Sequence, residues 1–213
     1  ANMLGPAVFY DYLRSFGMGE RTRIGMEDEM AGELRVPGDL DWHISDLGTN
    51  AFGQGLSCTP LQMITAVAAV ANDGRLMRPY IVKRIVRGDR EITREPEPVR
   101  QVISPQSAQE MSRILAEAVN LHMKQAIVPG YTVAGKSGTA QIPVPGGYDP
   151  KDTIASFVGY GPIPHPEFVI LVRLDRPKTS EWGIVVAAPV FRRIASHLFR
   201  YYGIPPDAQR ELR

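Results

Sequence analysis

Tyr131-Thr-Val-Ala-Gly-Lys-Ser-Gly-Thr-Ala-Gln141 is the stretch whose reading decides the fold. Thr132 and Val133 are β-branched and Ile142 follows, so the run has strand character, and Pro143, Pro145, Gly146 and Gly147 bar a helix after it. A strand sends successive side chains to opposite faces, so Lys136 and Ser137 share a face only if the strand twists between them. Gly138 has no side chain, and another backbone or a substrate can lie flat against it. With that twist the segment offers a cation, two hydroxyls and main-chain N–H groups to a carboxylate.

Two motifs overlap here. By letter, Gly130-Tyr-Thr-Val-Ala-Gly-Lys-Ser137 satisfies the phosphate-binding pattern G-x-x-x-x-G-K-[ST]. That loop is a glycine-rich turn whose Lys-Ser opens a helix, and the helix N-terminus holds the phosphate. In this chain Tyr, Thr, Val and Ala fill the variable positions and prolines follow, so the context rejects nucleotide binding.

The other motif is a lysine, a hydroxyl and a glycine in a strand, the signature of penicillin-binding proteins and serine β-lactamases. Lys136-Ser-Gly-Thr-Ala-Gln141, preceded by Val133-Ala-Gly135, resembles the third active-site motif of class B penicillin-binding proteins, the D,D-transpeptidases that cross-link peptidoglycan. Ala51-Phe-Gly-Gln-Gly55 before Thr59-Pro-Leu-Gln62, Asn72-Asp-Gly74 before Arg78-Pro-Tyr80, and Ala187-Ala-Pro-Val-Phe191 match the same family in order. The family's nucleophile lies in S-x-x-K and its second motif is S-x-N. No serine of this chain has Lys three residues on, and none has Asn two residues on. The expectation is an incomplete, C-terminal portion of a single transpeptidase domain over residues 1–213, inactive alone, with its nucleophile outside the chain.

The resemblance implies an α+β fold of the penicillin-binding and serine β-lactamase type, in which this chain supplies the last three strands of an antiparallel sheet packed with helices. The strand holding Lys136 would be a sheet edge, where an extended peptide can add as a further strand. It implies acyl transfer on the D-Ala-D-Ala end of a peptidoglycan stem peptide, with β-lactams entering the same site. Lys136 would supply positive potential, the Thr139 hydroxyl would bind the substrate carboxylate, and the Thr139 backbone N–H would give half of an oxyanion hole. Ser137 and Gly138 complete the substrate-binding set. The implied partners also include the remainder of the same protein, and the implied place is the extracytoplasmic face of a bacterial membrane, held by an N-terminal anchor. A non-catalytic domain that binds stem peptides or a division partner is the alternative.

Composition bounds the rest. A hydrophobic fraction of 44%, a charged fraction of 22% and a formal net charge of +1 belong to an ordinary globular chain and give no case for nucleic acid. Cys58 is the single cysteine, which excludes an internal disulfide framework. The longest apolar stretch, from Met63 to Ala71, is far short of the roughly 20 residues a bilayer span needs. His43, His122, His165 and His197 show no metal-ligand spacing, and no cofactor is implied.

Local signals place the remaining elements. Pro6 to Phe16 predicts a helix with Phe9, Tyr12, Leu13 and Phe16 on its core stripe. Met18 to Asp46 lacks periodicity, and its Glu27-Asp-Glu29 run reads as a solvated loop face. Thr59-Pro-Leu-Gln62 is a capping box opening a helix that ends at Asn72-Asp-Gly74. Tyr80 to Val86 and Glu91 to Arg94 predict a hairpin around Arg87-Gly-Asp-Arg90, and Glu95 to Pro98 an extended connection. Ser104-Pro105 predicts a helix with Met111, Ile114, Leu115 and Ala118 on its inner face. After the central strand, Pro143 to Asp152 predicts a loop, then strands follow over Ile154 to Tyr160 and Phe168 to Leu174, the latter buried on both faces. Pro189 opens a closing helix with Phe191, Ile194, Ala195, Leu198 and Tyr202 on one stripe.

Overall fold

Thr59 and Gln62 exchange the two bonds of the expected capping box: the Gln62 amide N–H donates to Thr59 Oγ1 at 3.1 Å, and the Thr59 amide N–H donates to Gln62 Oε1 at 2.8 Å. The structure, a computed structural model, describes residues 1–210. It divides into two compact units, Ala1–Ser104 and the remainder from Pro105 onward. The helices are short or polar on one side, and none among the described residues is long and apolar enough to cross a membrane.

The first unit holds helices α1 (Gly5–Ser15), α2 (Ile44–Ala51) and α3 (Pro60–Ala71), with strands β1 (Arg75–Met77), β2 (Arg84–Arg87), β3 (Arg90–Thr93) and β4 (Pro98–Gln101). Its small core is Tyr10, Val36 and Leu47, with Phe9 and Leu13 packed against it. The α1 stripe therefore differs from the expected one: Tyr10 is buried and Tyr12 is half exposed. Tyr10 is accommodated because its hydroxyl accepts hydrogen bonds from the Trp42 indole at 3.0 Å and the Asn50 amide at 2.9 Å. The expected solvated acidic face holds for Glu27 and Asp28, which are exposed, and is corrected at Glu29. Glu29 accepts from the Thr22 amide and hydroxyl and from the Arg23 amide, so it clasps the loop. Burial works against its charge, but the Thr22 and Arg23 donors hold its carboxyl below the ordinary range.

The strands of this unit form two separate ribbons, β1 with β4 and β2 with β3, both antiparallel. The expected hairpin is β2–β3, and the extended connection leads into β4. Helix α3 is half-buried over most of its length and fully buried only at Gln62, Ala66 and Ala69. Gln62 does more than cap. Its Nε2 donates to the carbonyls of Glu20 at 2.7 Å and Ala31 at 2.6 Å, with Gly17 at 3.4 Å, so one buried amide ties an irregular loop to a helix. Gln62→Leu keeps the bulk and strands those acceptors. It is expected to cost roughly 2–3 kcal/mol, read as a lower unfolding midpoint and faster proteolysis between residues 17 and 31; an unchanged midpoint would remove the tie from the account.

The second unit is built on a three-stranded antiparallel sheet, in the order β5 (Ala134–Val144), β6 (Gly147–Gly161), β7 (Phe168–Asp175). Helices α4 (Pro105–His122), α5 (Gly183–Val186) and α6 (Ala188–Tyr201) pack with it, and α7 (Asp207–Arg210) lies near the end. The core runs from Val119 and Met123 through Phe157, Ile170 and Val172 to Phe191, Ala195 and Phe199. Tyr131 stacks on Phe199 with 3.9 Å between ring centroids, and Asp207 accepts from the amide and hydroxyl of Thr132, fixing the approach to β5 from the far end of the chain.

Four expectations for this unit are corrected. Helix α4 buries Ala108, Ser112, Ala116 and Val119, while Met111 and Ile114 are exposed. Small residues face inward there, and the Ser112 hydroxyl is satisfied by the Tyr160 hydroxyl at 2.9 Å. The stretch from Pro143 to Asp152 is not a loop: β5 and β6 continue through a register shift and close with Val144 opposite Gly147. Pro143 is tolerated because among the described residues no strand pairs with the outer side of β5, where a missing N–H costs no ladder bond. Strand β7 is fully buried at Ile170 and Val172, half-buried at its other apolar positions and exposed at Arg173. The α6 stripe is Ala188, Phe191, Ala195 and Phe199, with Ile194 and Tyr202 exposed.

Candidate active site

Strand β5 begins buried and becomes accessible. Ala134 and Gly135 are buried, Lys136 is exposed, Ser137 and Gly138 are half-buried, and Thr139 is exposed. Each is held by its partner on β6: Lys136 opposite Val158, Ser137 opposite Phe157, Gly138 opposite Ser156 and Thr139 opposite Ala155. Among the described residues β5 has a neighbour on one side only, so the four residues stand on a sheet edge, as expected. A continuous strand with no helix after Lys136 also disposes of the phosphate-loop reading.

The chemistry of the edge follows from its hydrogen bonds. Lys136 Nζ donates to the carbonyl of Ser137 at 2.8 Å and makes no ion pair among the described residues, so its charge is left for an incoming anion. Thr139 Oγ1 accepts from the Gly183 amide N–H at 3.1 Å. That bond fixes the oxygen while leaving its own hydrogen to be donated elsewhere. A lysine ammonium, a positioned hydroxyl and an unpaired strand edge together suit a carboxylate-bearing extended peptide.

Glycines make the edge possible, Gly138 by the close approach its bare backbone suggests and Gly183 by one that no local pattern suggests. A Cβ on Gly138 would lie 2.5 Å from Ser156 Oγ, so glycine here leaves room for the Ser156 side chain of the neighbouring strand. Gly183 is closer still: its Cβ would lie 2.3 Å from the carbonyl oxygens of both Gly138 and Ser156. The start of α5 is thus pressed onto the β5 and β6 backbones, which is what brings its amide to Thr139. Gly135 and Gly159 repeat the pattern against the rings of Phe157 and Phe191. Nothing in the Trp182-Gly-Ile184 sequence announces this contact, because its partners lie 27 to 45 residues earlier. In the first unit, a cleft of about 700 Å³ is lined by Glu20, Arg21, Arg78 and Arg100 among others. Two of those arginines are already paired, Arg100 with Glu20 and Arg78 with Glu97.

Comparison with known proteins points the same way as the edge. Residues 1–196 match the model of the penicillin binding protein transpeptidase domain. The chain is 37% identical over 223 residues to penicillin-binding protein PbpB of Mycolicibacterium smegmatis, covering 97% of this chain and 34% of that protein. It is 34% identical over 211 residues to the stage V sporulation protein D of Bacillus subtilis, covering 95% and 32%. Among solved structures, penicillin binding protein 3 of Mycobacterium tuberculosis complexed with aztreonam superposes with a TM-score of 0.87 at 35% identity, covering 96% of this chain and 48% of that one. The apo transpeptidase domain of penicillin-binding protein 3 from Burkholderia pseudomallei gives 0.82 at 34% identity, covering 95% and 59%. The chain spans about a third of the length of those sequence relatives.

Proposed function

We propose, since the chain belongs to the penicillin-binding protein transpeptidase family, that it forms the C-terminal portion of one D,D-transpeptidase domain acting in peptidoglycan cross-linking. The observation that carries this is the β5 edge, where Lys136, without an ion pair among the described residues, and a Thr139 hydroxyl held by Gly183 stand on an open strand.

In this reading the stem peptide lies along β5 as an added strand. Lys136 attracts the terminal carboxylate, the Thr139 hydroxyl donates to it, Ser137 lines the groove, and Gly138 keeps the edge narrow. A serine from an S-x-x-K motif, which this sequence does not contain, attacks the carbonyl of the penultimate D-alanine. The tetrahedral oxyanion takes a hydrogen bond from the Thr139 backbone N–H. It collapses with release of D-alanine, which takes up a proton as it leaves. The amine of a neighbouring stem then attacks the acyl-serine, gives up its proton, and restores the serine hydroxyl. A β-lactam enters by the same contacts, its ring carbonyl in place of the peptide and its carboxylate on Lys136 and Thr139. The place of action is the outer face of the cytoplasmic membrane, with the parent protein held there by an anchor.

Covalent labelling with a fluorescent penicillin, read by intact mass, tests this on the 213-residue chain and on a longer chain extended through the S-x-x-K and S-x-N motifs. Labelling of the longer chain alone is the expected result. Labelling of the 213-residue chain would place a nucleophile within it, with Ser137 the first to replace. Labelling of neither would assign the edge to non-catalytic peptide binding.

A further inference from the structure

We propose that one face of the β2–β3 hairpin is a docking surface for an acidic polypeptide segment that carries an apolar side chain between carboxylates. The proposal concerns the first unit and is independent of the transpeptidase reading. In the ladder Ile85 pairs with Ile92 and Arg87 with Arg90, and the Arg94 amide N–H donates to the Lys83 carbonyl at 2.8 Å, which extends the pairing by one more step. Directly opposed residues share a face and alternate residues along a strand do too. Lys83, Ile85 and Arg87 therefore stand on the same side as Arg90, Ile92 and Arg94: two isoleucines in the middle, a pair of cations at each end, and no carboxylate.

Among the described residues no carboxylate pairs with the cations of this face. Every residue from 81 to 101 is exposed, with Ile85 at 45% and Ile92 at 65% of full exposure. Among the described residues Lys83, Arg87 and Arg90 make no ion pair, and Arg94 rests 5.8 Å from the centre of the Tyr80 ring. The hairpin's one acid within a strand, Glu91, is on the opposite face, paired with Arg84 at 3.4 Å. Placing like charges directly across a ladder destabilises it, and a two-stranded ribbon without a core partner is marginal to begin with. A ribbon arranged so, with its isoleucines bare, is complementary to something both acidic and apolar.

The spacing selects a polypeptide. Along each strand the cation and the isoleucine are about 7 Å apart, two residues of rise, and an extended segment carrying Glu, Ile and Glu at alternate positions repeats that distance. A bilayer would favour apolar residues at the hairpin tip, where they reach deepest; here the tip is Gly88 and Asp89, and the isoleucines sit mid-ribbon.

The probe is a fluorescein-labelled peptide, Glu-Thr-Ile-Thr-Glu-Thr-Ile-Thr-Glu, titrated by anisotropy against the intact chain. Two double variants are compared, Arg87→Thr with Arg90→Thr and Ile85→Thr with Ile92→Thr, each keeping strand propensity at exposed positions and each checked for an unchanged or raised unfolding midpoint. Binding that weakens about tenfold or more in both variants and falls with added salt is expected. A peptide with lysine in place of glutamate should not bind. Absence of peptide binding, or equal binding by the variants, would overturn the proposal. Hairpin-dependent binding to phosphatidylglycerol vesicles without peptide binding would overturn it in favour of a membrane surface.

Discussion

Gly183→Ala is expected to destabilise the second unit by about 3 kcal/mol or more, because the added methyl has nowhere to go. Its Cβ would lie 2.3 Å from the Gly138 and Ser156 carbonyl oxygens and 2.9 Å from the Ser156 nitrogen. All three belong to the backbones of two paired strands, so no rotamer change relieves the contact. The start of α5 has to lift off the sheet, which breaks the bond from the Gly183 amide to Thr139 Oγ1 and disturbs Ala187 and Ala188, both fully buried. Helix propensity alone argues the other way, since alanine is favoured over glycine by roughly 1 kcal/mol within a helix. Gly48 isolates that opposing effect. It is exposed inside α2, has no neighbour within reach of a Cβ, and its backbone is not left-handed. Gly48→Ala is therefore expected to stabilise by about 0.5–1 kcal/mol. Denaturant midpoints of the two variants should move in opposite directions; a neutral Gly183→Ala would mean that α5 is not pressed onto the sheet.

That contrast shows where sequence reading reaches and where it stops. The β5 motif and the three-strand meander were legible because β-branched residues, a bare glycine and short connections constrain a strand locally. The Thr59–Gln62 capping box was legible for the same reason. What Gln62 does with its other end was not, since its acceptors at Gly17, Glu20 and Ala31 are 31 to 45 residues away. Helix α4 misleads a reading by hydrophobicity, because its inner face consists of Ala108, Ser112 and Ala116, chosen by close packing, while the larger Met111 and Ile114 face out. The Pro143 to Asp152 segment reads as a loop by composition, yet an edge strand tolerates proline and the ladder runs on. At the site, Lys136 and Thr139 are visible as a motif, whereas the group that orients Thr139 is a glycine amide 44 residues later. No local pattern records a contact made through a main-chain N–H.

In a chain extended through the S-x-x-K motif, Thr139→Val is expected to slow penicillin acylation by about 10²–10³-fold, the cost of removing one donor aimed at developing or fixed negative charge. Valine keeps the shape and strand propensity of threonine, so the loss reports on the hydroxyl. It also leaves the Gly183 amide without its acceptor, which adds a stability cost of about 1–3 kcal/mol. Thr139→Ser separates the two effects: it restores an oxygen for Gly183 and a hydrogen for the substrate carboxylate, and should recover most of the rate. Lys136→Met removes the charge but keeps the aliphatic stem along the strand, and its effect should fall chiefly on the capture of carboxylate-bearing β-lactams. Because Lys136 is exposed, part of its attraction is screened, so wild-type acylation should slow with added salt while the Met variant responds less. Wild-type rates in Thr139→Val would place the substrate carboxylate elsewhere and reduce the Thr139–Gly183 bond to a packing contact. A rate lost in both the Val and Ser variants would show that the hydroxyl's position, and with it the seating of α5 on the sheet, matters more than its presence.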